Sequence, residues 1–334
     1  MQKKAEAVSL KGADVDPDIR RFIETMGAAF ASYPNFNQLP VAEARQIVEK
    51  VRAPWAQGGP QMAETREIMA STREGEVRLR IHRPAGVDPA AGLSPALVYI
   101  HGGGWTLFSL DTHDRLMREY AERAGIMVVG VDYALSPEHK FPVALHQIVD
   151  VMRWLGREGA RFGVDPDRLA LGGDSAGGNL TAAAALALRD AGEGQLIKGM
   201  VLNYGAFAEG SSEEYHRRYG GEGYMLTSEE MVVFWNNYLG DKKDIQNPLI
   251  CPLYGDLKGL PPAFMVIPEC DVLTEQSLRM AEKLKAAGVP TTDIIYKGAT
   301  HSFLEAMSIS ALAVRALDDT AAWLRQLFKR DAKG

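Results

Sequence analysis

The sequence predicts an α/β protein: a mostly parallel central sheet flanked by helices, with a helical cap. Three observations carry that expectation. Short apolar runs, clearest at residues 96–100 and 126–131, have the composition of strands buried on both faces. Segments of helical periodicity stand between such runs, the order that builds a doubly wound sheet. Two stretches, residues 1–75 and 206–240, read as helical and interrupt the alternation.

Residues 1–75 are expected to form the first part of the cap. Asp16 is a candidate N-cap followed by Pro17 at the first helical position. Ile19, Phe22, Ile23, Met26 and Phe30 then recur at three- and four-residue steps and make one apolar face. A second helix is expected from near Val41 to Val51, with Ala44, Ile47, Val48 and Val51 inward, and Pro54, Gly58, Gly59 and Pro60 should end it. Two helices bury too little to stand alone, so they are expected to rest on something larger.

The period changes at Arg73. Residues 76–81 alternate charged and apolar side chains, as an antiparallel strand near a sheet edge does. From there residues 76–205 form the first part of the core. Strands are expected at 96–100, 126–131, 169–171 and 199–203, and helices at 113–124, 142–161 and 181–189. Residues 206–240, with Phe207, Tyr215, Tyr219, Tyr224, Phe234, Trp235 and Tyr238, follow a strand where binding loops of open sheets belong, and are assigned to a second cap segment. Residues 241–334 complete the core, with strands at 263–267 and 292–296 and helices at 274–287 and 309–328.

Composition narrows the function classes. The chain has 334 residues, 46% hydrophobic and 24% charged, which is ordinary for a soluble globular protein. A net charge of −6 argues against nucleic acid or an anionic membrane as partner. Cys251 and Cys270 make no disulfide framework, which points to a reducing compartment and a cytoplasmic protein. Two early lysines are followed by no apolar leader, and no run approaches the roughly 18 residues of a membrane span. The cysteines lie nineteen apart (270 − 251) with no accompanying histidine pair, so no metal is expected.

Gly173-Asp174-Ser175-Ala176-Gly177 fits G-x-S-x-G between an apolar run and an Ala/Leu-rich helix. That context places a serine on a strained strand-to-helix turn with a helix N-terminus behind it. His101-Gly102-Gly103-Gly104-Trp105 directly follows an earlier strand. Consecutive glycines let backbone N–H groups reach a ligand oxygen, as stabilisation of a tetrahedral oxyanion requires; one such donor contributes roughly 3–4 kcal/mol.

With Tyr133-Ala134-Leu135-Ser136-Pro137-Glu138, Phe141-Pro142 and Gly178-Asn179 added, the chain resembles the bacterial hormone-sensitive-lipase family of α/β-hydrolase esterases over about residues 75–330. The resemblance implies carboxylic-ester hydrolysis by a Ser-Asp-His triad under a helical lid, on short- to medium-chain esters and without a cofactor. In this fold the triad runs in the order serine, acid, histidine. His301, in a loop after the last strand, is the late histidine that suits the base. Asp271, after the 263–267 strand, is chosen as the acid, with Glu269 as rival and Asp256 a weaker one. Gly102, Gly103 and Ala176 are expected to supply the oxyanion donors, although which two glycines donate is open. Asp174 is read as structural, and Pro137, Glu138 and Pro142 as support for the oxyanion segment.

Trp105, Phe108, Tyr204, Phe207 and Tyr224 are candidate pocket walls, with burial in the core as the competing reading. Three positions depart from the family pattern: Val272 and Ser302 stand where proline and glycine are usual, and Ala134 where an arginine is common. An amidase or natural-product deacetylase with the same triad is the alternative within enzymes. A binding protein on this scaffold, as in the plant gibberellin receptor, lacks the histidine that His301 supplies here. A small-molecule ester is the expected partner, and an exposed late edge strand is a candidate surface for a homodimer.

Overall fold

The computed structural model describes residues 15–35, 38–240 and 244–331. The opening residues, on which the absence of a leader was read, lie outside them. Among the described residues the eight strands are β1 (Glu64–Thr72), β2 (Gly75–Arg83), β3 (Ser94–Ile100), β4 (Met127–Asp132), β5 (Val164–Asp174), β6 (Gly199–Asn203), β7 (Ala263–Cys270) and β8 (Thr291–Thr300). They form one sheet in the order β1-β2-β4-β3-β5-β6-β7-β8. β1 and β2 are an antiparallel hairpin, β2 pairs antiparallel with β4, and every other pairing is parallel.

Alternate residues of the central strands feed two separate cores. Ala96, Val98 and Ile100 of β3 join the apolar cluster on one face, while Leu97 and Tyr99 join the cluster on the other. The first cluster is closed by α4 (Val143–Glu158), α5 (Ala176–Asp190) and α8 (Thr274–Ala286). The second is closed by α3 (Asp114–Ala124) and α9 (Ala311–Asp331), and α1 (Pro17–Phe30) packs into it through Ile19, Phe22 and Met26. Burial on both faces is why these strands read as unbroken apolar runs rather than as alternation.

Two expectations about the N-terminal segment are corrected. Residues 64–72 form edge strand β1, so this stretch is not helical. Only Ala70 of β1 is buried; Glu64 and Glu67 pair with arginines of β2 across the hairpin, and Arg66 pairs with Glu64 on its own strand. A strand stabilised by cross-strand ion pairs carries little apolar signal. The second helix, α2 (Val41–Ala56), runs through Pro54 instead of ending before it. Trp55 packs edge-to-face on Phe22 with centroids 4.5 Å apart, and Arg118 donates to the carbonyls of Ala56, Gly58 and Pro60. Packing and capping of the last turn thereby offset the lost hydrogen bond.

In the second helical segment, α6 (Glu213–Tyr219) and α7 (Ser228–Leu239) stand over the sheet's C-terminal end. A capping box between Thr227 and Glu230 starts α7. Among the described residues, no helix is long and apolar enough to cross a membrane.

Candidate active site

β5 delivers its chain into Ser175 and α5 leaves from the next residue. Ser175 has φ 54° and ψ −118°, a conformation costly for an L-residue, held because the surroundings leave no other. A Cβ on Gly173 would stand 2.3 Å from the Ile100 carbonyl oxygen, and one on Gly177 only 2.0 Å from it. These two glycines let β3 run directly against the turn. Ser175 N–H donates to the Asn203 carbonyl at 2.9 Å, which ties the turn to β6 as well.

His301 stands in the turn after β8, and its Nε2 lies 2.9 Å from Ser175 Oγ. Its Nδ1 lies 2.7 Å from Asp271 Oδ2 in the turn after β7. Asp271 is fully buried, and its Oδ1 accepts the Leu273 N–H at 3.0 Å, so the carboxylate is oriented from behind. The rival acids are engaged elsewhere: Glu269 accepts the Gly298 N–H at 3.0 Å and Asp256 accepts the Lys258 N–H at 3.0 Å. Tyr204 lies edge-on to the His301 ring at 5.0 Å. Ser302, where the family pattern has glycine, takes the left-handed conformation at φ 58°.

One oxyanion expectation is corrected. The Gly102 N–H donates to Asp174 Oδ1 at 3.1 Å, so it is already committed. Gly103 and Gly104, not Gly102, line the cavity beside Ser175 and His301. Ala176 is the first residue of α5, immediately behind the serine.

Asp174 is the hub beneath this loop. It accepts from Tyr99 Oη at 2.8 Å and the Gly102 N–H, with His113 Nε2 3.3 Å away. Burial pushes its carboxyl up, but His113 and the hydrogen bonds leave it below its ordinary value. Burial likewise works against the His113 cation, yet Asp174 raises its pKa overall. His101 is stacked on Tyr133 at 4.4 Å, and burial drives its pKa down to about 3, so it is neutral.

The cap braces the same loop. Arg45 of α2 donates to the Thr106 and Ser136 carbonyls at 2.8 Å each and pairs with Glu138 at 2.7 Å. Glu138 thus has its ion-pair partner in α2. Nothing in the sequence singled out Arg45.

A cavity of about 600 Å³ opens over Ser175 and His301. Of the five aromatic residues expected in its walls, Phe108 lines it and four are core. Trp105 stacks on Tyr238 at 4.4 Å, and Tyr204 stands behind His301. Phe207 is fully buried in the core, and Tyr224 packs on Tyr219 at 5.3 Å. The walls come instead from Ile23, Met26, Phe30 and Val48 of α1 and α2, and from Met225 and Phe234 before and on α7. The helical spacing of the first four showed an inward face but not what it faces.

Residues 97–305 match the family described as the alpha/beta hydrolase fold. A hyperthermophilic esterase from the archaeon Pyrobaculum calidifontis superposes with a TM-score of 0.86 at 33% identity, covering 94% of this chain and 99% of that one. A thermostable esterase from Pseudomonas putida does so with a TM-score of 0.86 at 30% identity, covering 94% and 97%. A thermophilic carboxylesterase cloned from a metagenomic library has a TM-score of 0.81 at 33% identity, covering 86% and 98%.

Proposed function

The chain belongs to the α/β-hydrolase fold family, in its hormone-sensitive-lipase-like branch of esterases, and on that premise we propose that it cleaves short- to medium-chain carboxylic esters through an acyl-enzyme on Ser175. The observation that carries the reading is the continuous contact from Asp271 through His301 to Ser175, at 2.7 and 2.9 Å. His301 takes the Ser175 proton as the oxygen attacks the ester carbonyl, and Asp271 holds the imidazole in the required tautomer and stabilises its cation. The C–O bond to the alcohol breaks as His301 returns that proton to the leaving oxygen. A water deprotonated by His301 then releases the acid and restores Ser175.

The oxyanion is met by the N–H groups of Gly103 and Ala176, with Gly104 beside them. Gly102 acts one step back, by anchoring the loop to Asp174. The apolar cavity of about 600 Å³ supports acyl chains of modest length. Two cysteines that form no disulfide support a cytoplasmic location. β8 is one of the sheet's two outer strands and carries the exposed Ile295, which supports a homodimer across that edge. Ser175→Ala should abolish turnover of p-nitrophenyl butanoate while leaving the circular dichroism spectrum and thermal transition in place. Retained turnover by the folded variant overturns the assignment.

A further inference from the structure

An apolar cavity does not need a buried guanidinium, yet this one has it. Arg52 of α2 lines the cavity and is only 5% exposed. Its Nη1 pairs with Glu305 Oε2, on the turn that follows His301, and Glu305 is 4% exposed. Its Cζ lies 4.6 Å over the ring of Phe108, another wall residue. The pair is under-satisfied: Arg52 Nε and Glu305 Oε1 have no hydrogen-bond partner among the described residues.

Replacing such a pair by apolar side chains of similar volume is often neutral or stabilising, so stability alone is a poor reason for it. A methylene chain packed against a half-satisfied guanidinium leaves it unsatisfied, whereas an oxygen acceptor on the cavity side adds a charge-assisted hydrogen bond. Charge selects among acceptors. Glu305 already neutralises Arg52, and apart from His301 the other ionisable cavity residues are the carboxylates Glu222 and Glu230. A carboxylate on the substrate would therefore enter a site with excess negative charge.

Resting on the acyl-enzyme reading above, we infer that Arg52 is a specificity-determining residue. It selects esters that carry a neutral oxygen acceptor, an ether, hydroxyl or keto oxygen, some bonds from the scissile carbonyl, and Glu305 is the positioning residue that holds it.

The test compares isosteric substrates. One arm is p-nitrophenyl hexanoate against its analogue with the acyl δ-methylene replaced by an ether oxygen. A second arm makes the same replacement in the pentyl group of pentyl butanoate, which tells the acyl side from the alcohol side. A third uses the p-nitrophenyl half-ester of glutarate. Wild type should favour the ether in one of the first two arms and disfavour the half-ester.

In Arg52→Met with Glu305→Leu, which leaves no unpaired buried charge, the ether-to-methylene ratio of kcat/KM in that arm should fall roughly tenfold. Intrinsic ester reactivity cancels in this comparison of ratios between enzymes. Arg52→Lys, keeping a donor, should hold part of the preference. If the folded double variant keeps the wild-type ratio in both arms, or wild type shows no ether preference in either, the inference is wrong. Ser175→Ala, run on every substrate, separates the two claims, because turnover by that variant would count against the acyl-enzyme itself.

Discussion

The two walls of the cavity are built by opposite means. The core wall, with Gly103, Gly104, Ser175, His301 and Ser302, is fixed by backbone: each of the first three and Ser302 has a positive φ, and the chain is tied by hydrogen bonds at every turn. The cap wall is fixed by side chains, with Ile23, Met26, Phe30 and Val48 from helices that any apolar face of similar shape could replace. Over-determined backbone holds reacting groups to the few tenths of an ångström that chemistry needs. Helix packing tolerates substitution of similar volume, which suits the part that chooses substrates. Substitutions on the core wall should therefore act on kcat, and those on the cap wall on substrate discrimination.

The largest effect is expected on the core side. Asp271→Asn keeps the shape of the buried acid but favours the wrong imidazole tautomer. kcat on p-nitrophenyl acetate should fall by about 10⁴ with little change in KM. A loss confined to KM would mean that the core wall does not divide from the cap wall in this way.

A smaller effect is expected from the cap. Phe234 of α7 lies on the oxyanion loop, so that a Cβ on Gly104 would stand 2.2 Å from its ring. Phe234→Ala should lower kcat/KM for hexanoate by about tenfold relative to acetate, through lost apolar contact. Equal losses on both esters would place Phe234 with the chemistry and blur the comparison.

The smallest effect concerns what holds the core wall up. Folded His113 has a pKa above its ordinary 6.5, so its contribution is full below that value and is lost as pH rises through the folded one. Asp174 is displaced downward from 3.8, so its share is present above that value and lost as pH falls through the lower one. In urea unfolding, the stability gap between wild type and His113→Asn should narrow as pH rises from about 5 to about 9. A gap independent of pH would show that the His113–Asp174 charge pair does not support the loop.

The same division explains what the sequence could tell. The fold class was legible because strands buried on both faces write their burial as apolar runs, and β1 of the edge hairpin escaped because it is held by charge pairs. The motifs around His101 and Ser175 were legible because backbone strain and close approach demand glycine at fixed spacing. His301 and Asp271 could be chosen by chain order, since each follows a strand of the parallel sheet. Gly102 was misassigned because a run of glycines does not say which N–H turns toward Asp174. Trp105, Tyr204, Phe207 and Tyr224 were named as wall candidates because large aromatic side chains look alike whether they face a cavity or fill the core. Arg45 and Arg52 gave no signal, since their partners lie far along the chain at Glu138 and Glu305.

The central claim is that Ser175 is a nucleophile only because His301 stands against it. Reaction with a fluorophosphonate, followed by peptide mass mapping, tests that directly. One adduct on Ser175 in wild type, and a labelling rate reduced by orders of magnitude in folded His301→Ala, is the predicted result. Labelling at another residue, or equally fast labelling without the imidazole, would contradict it.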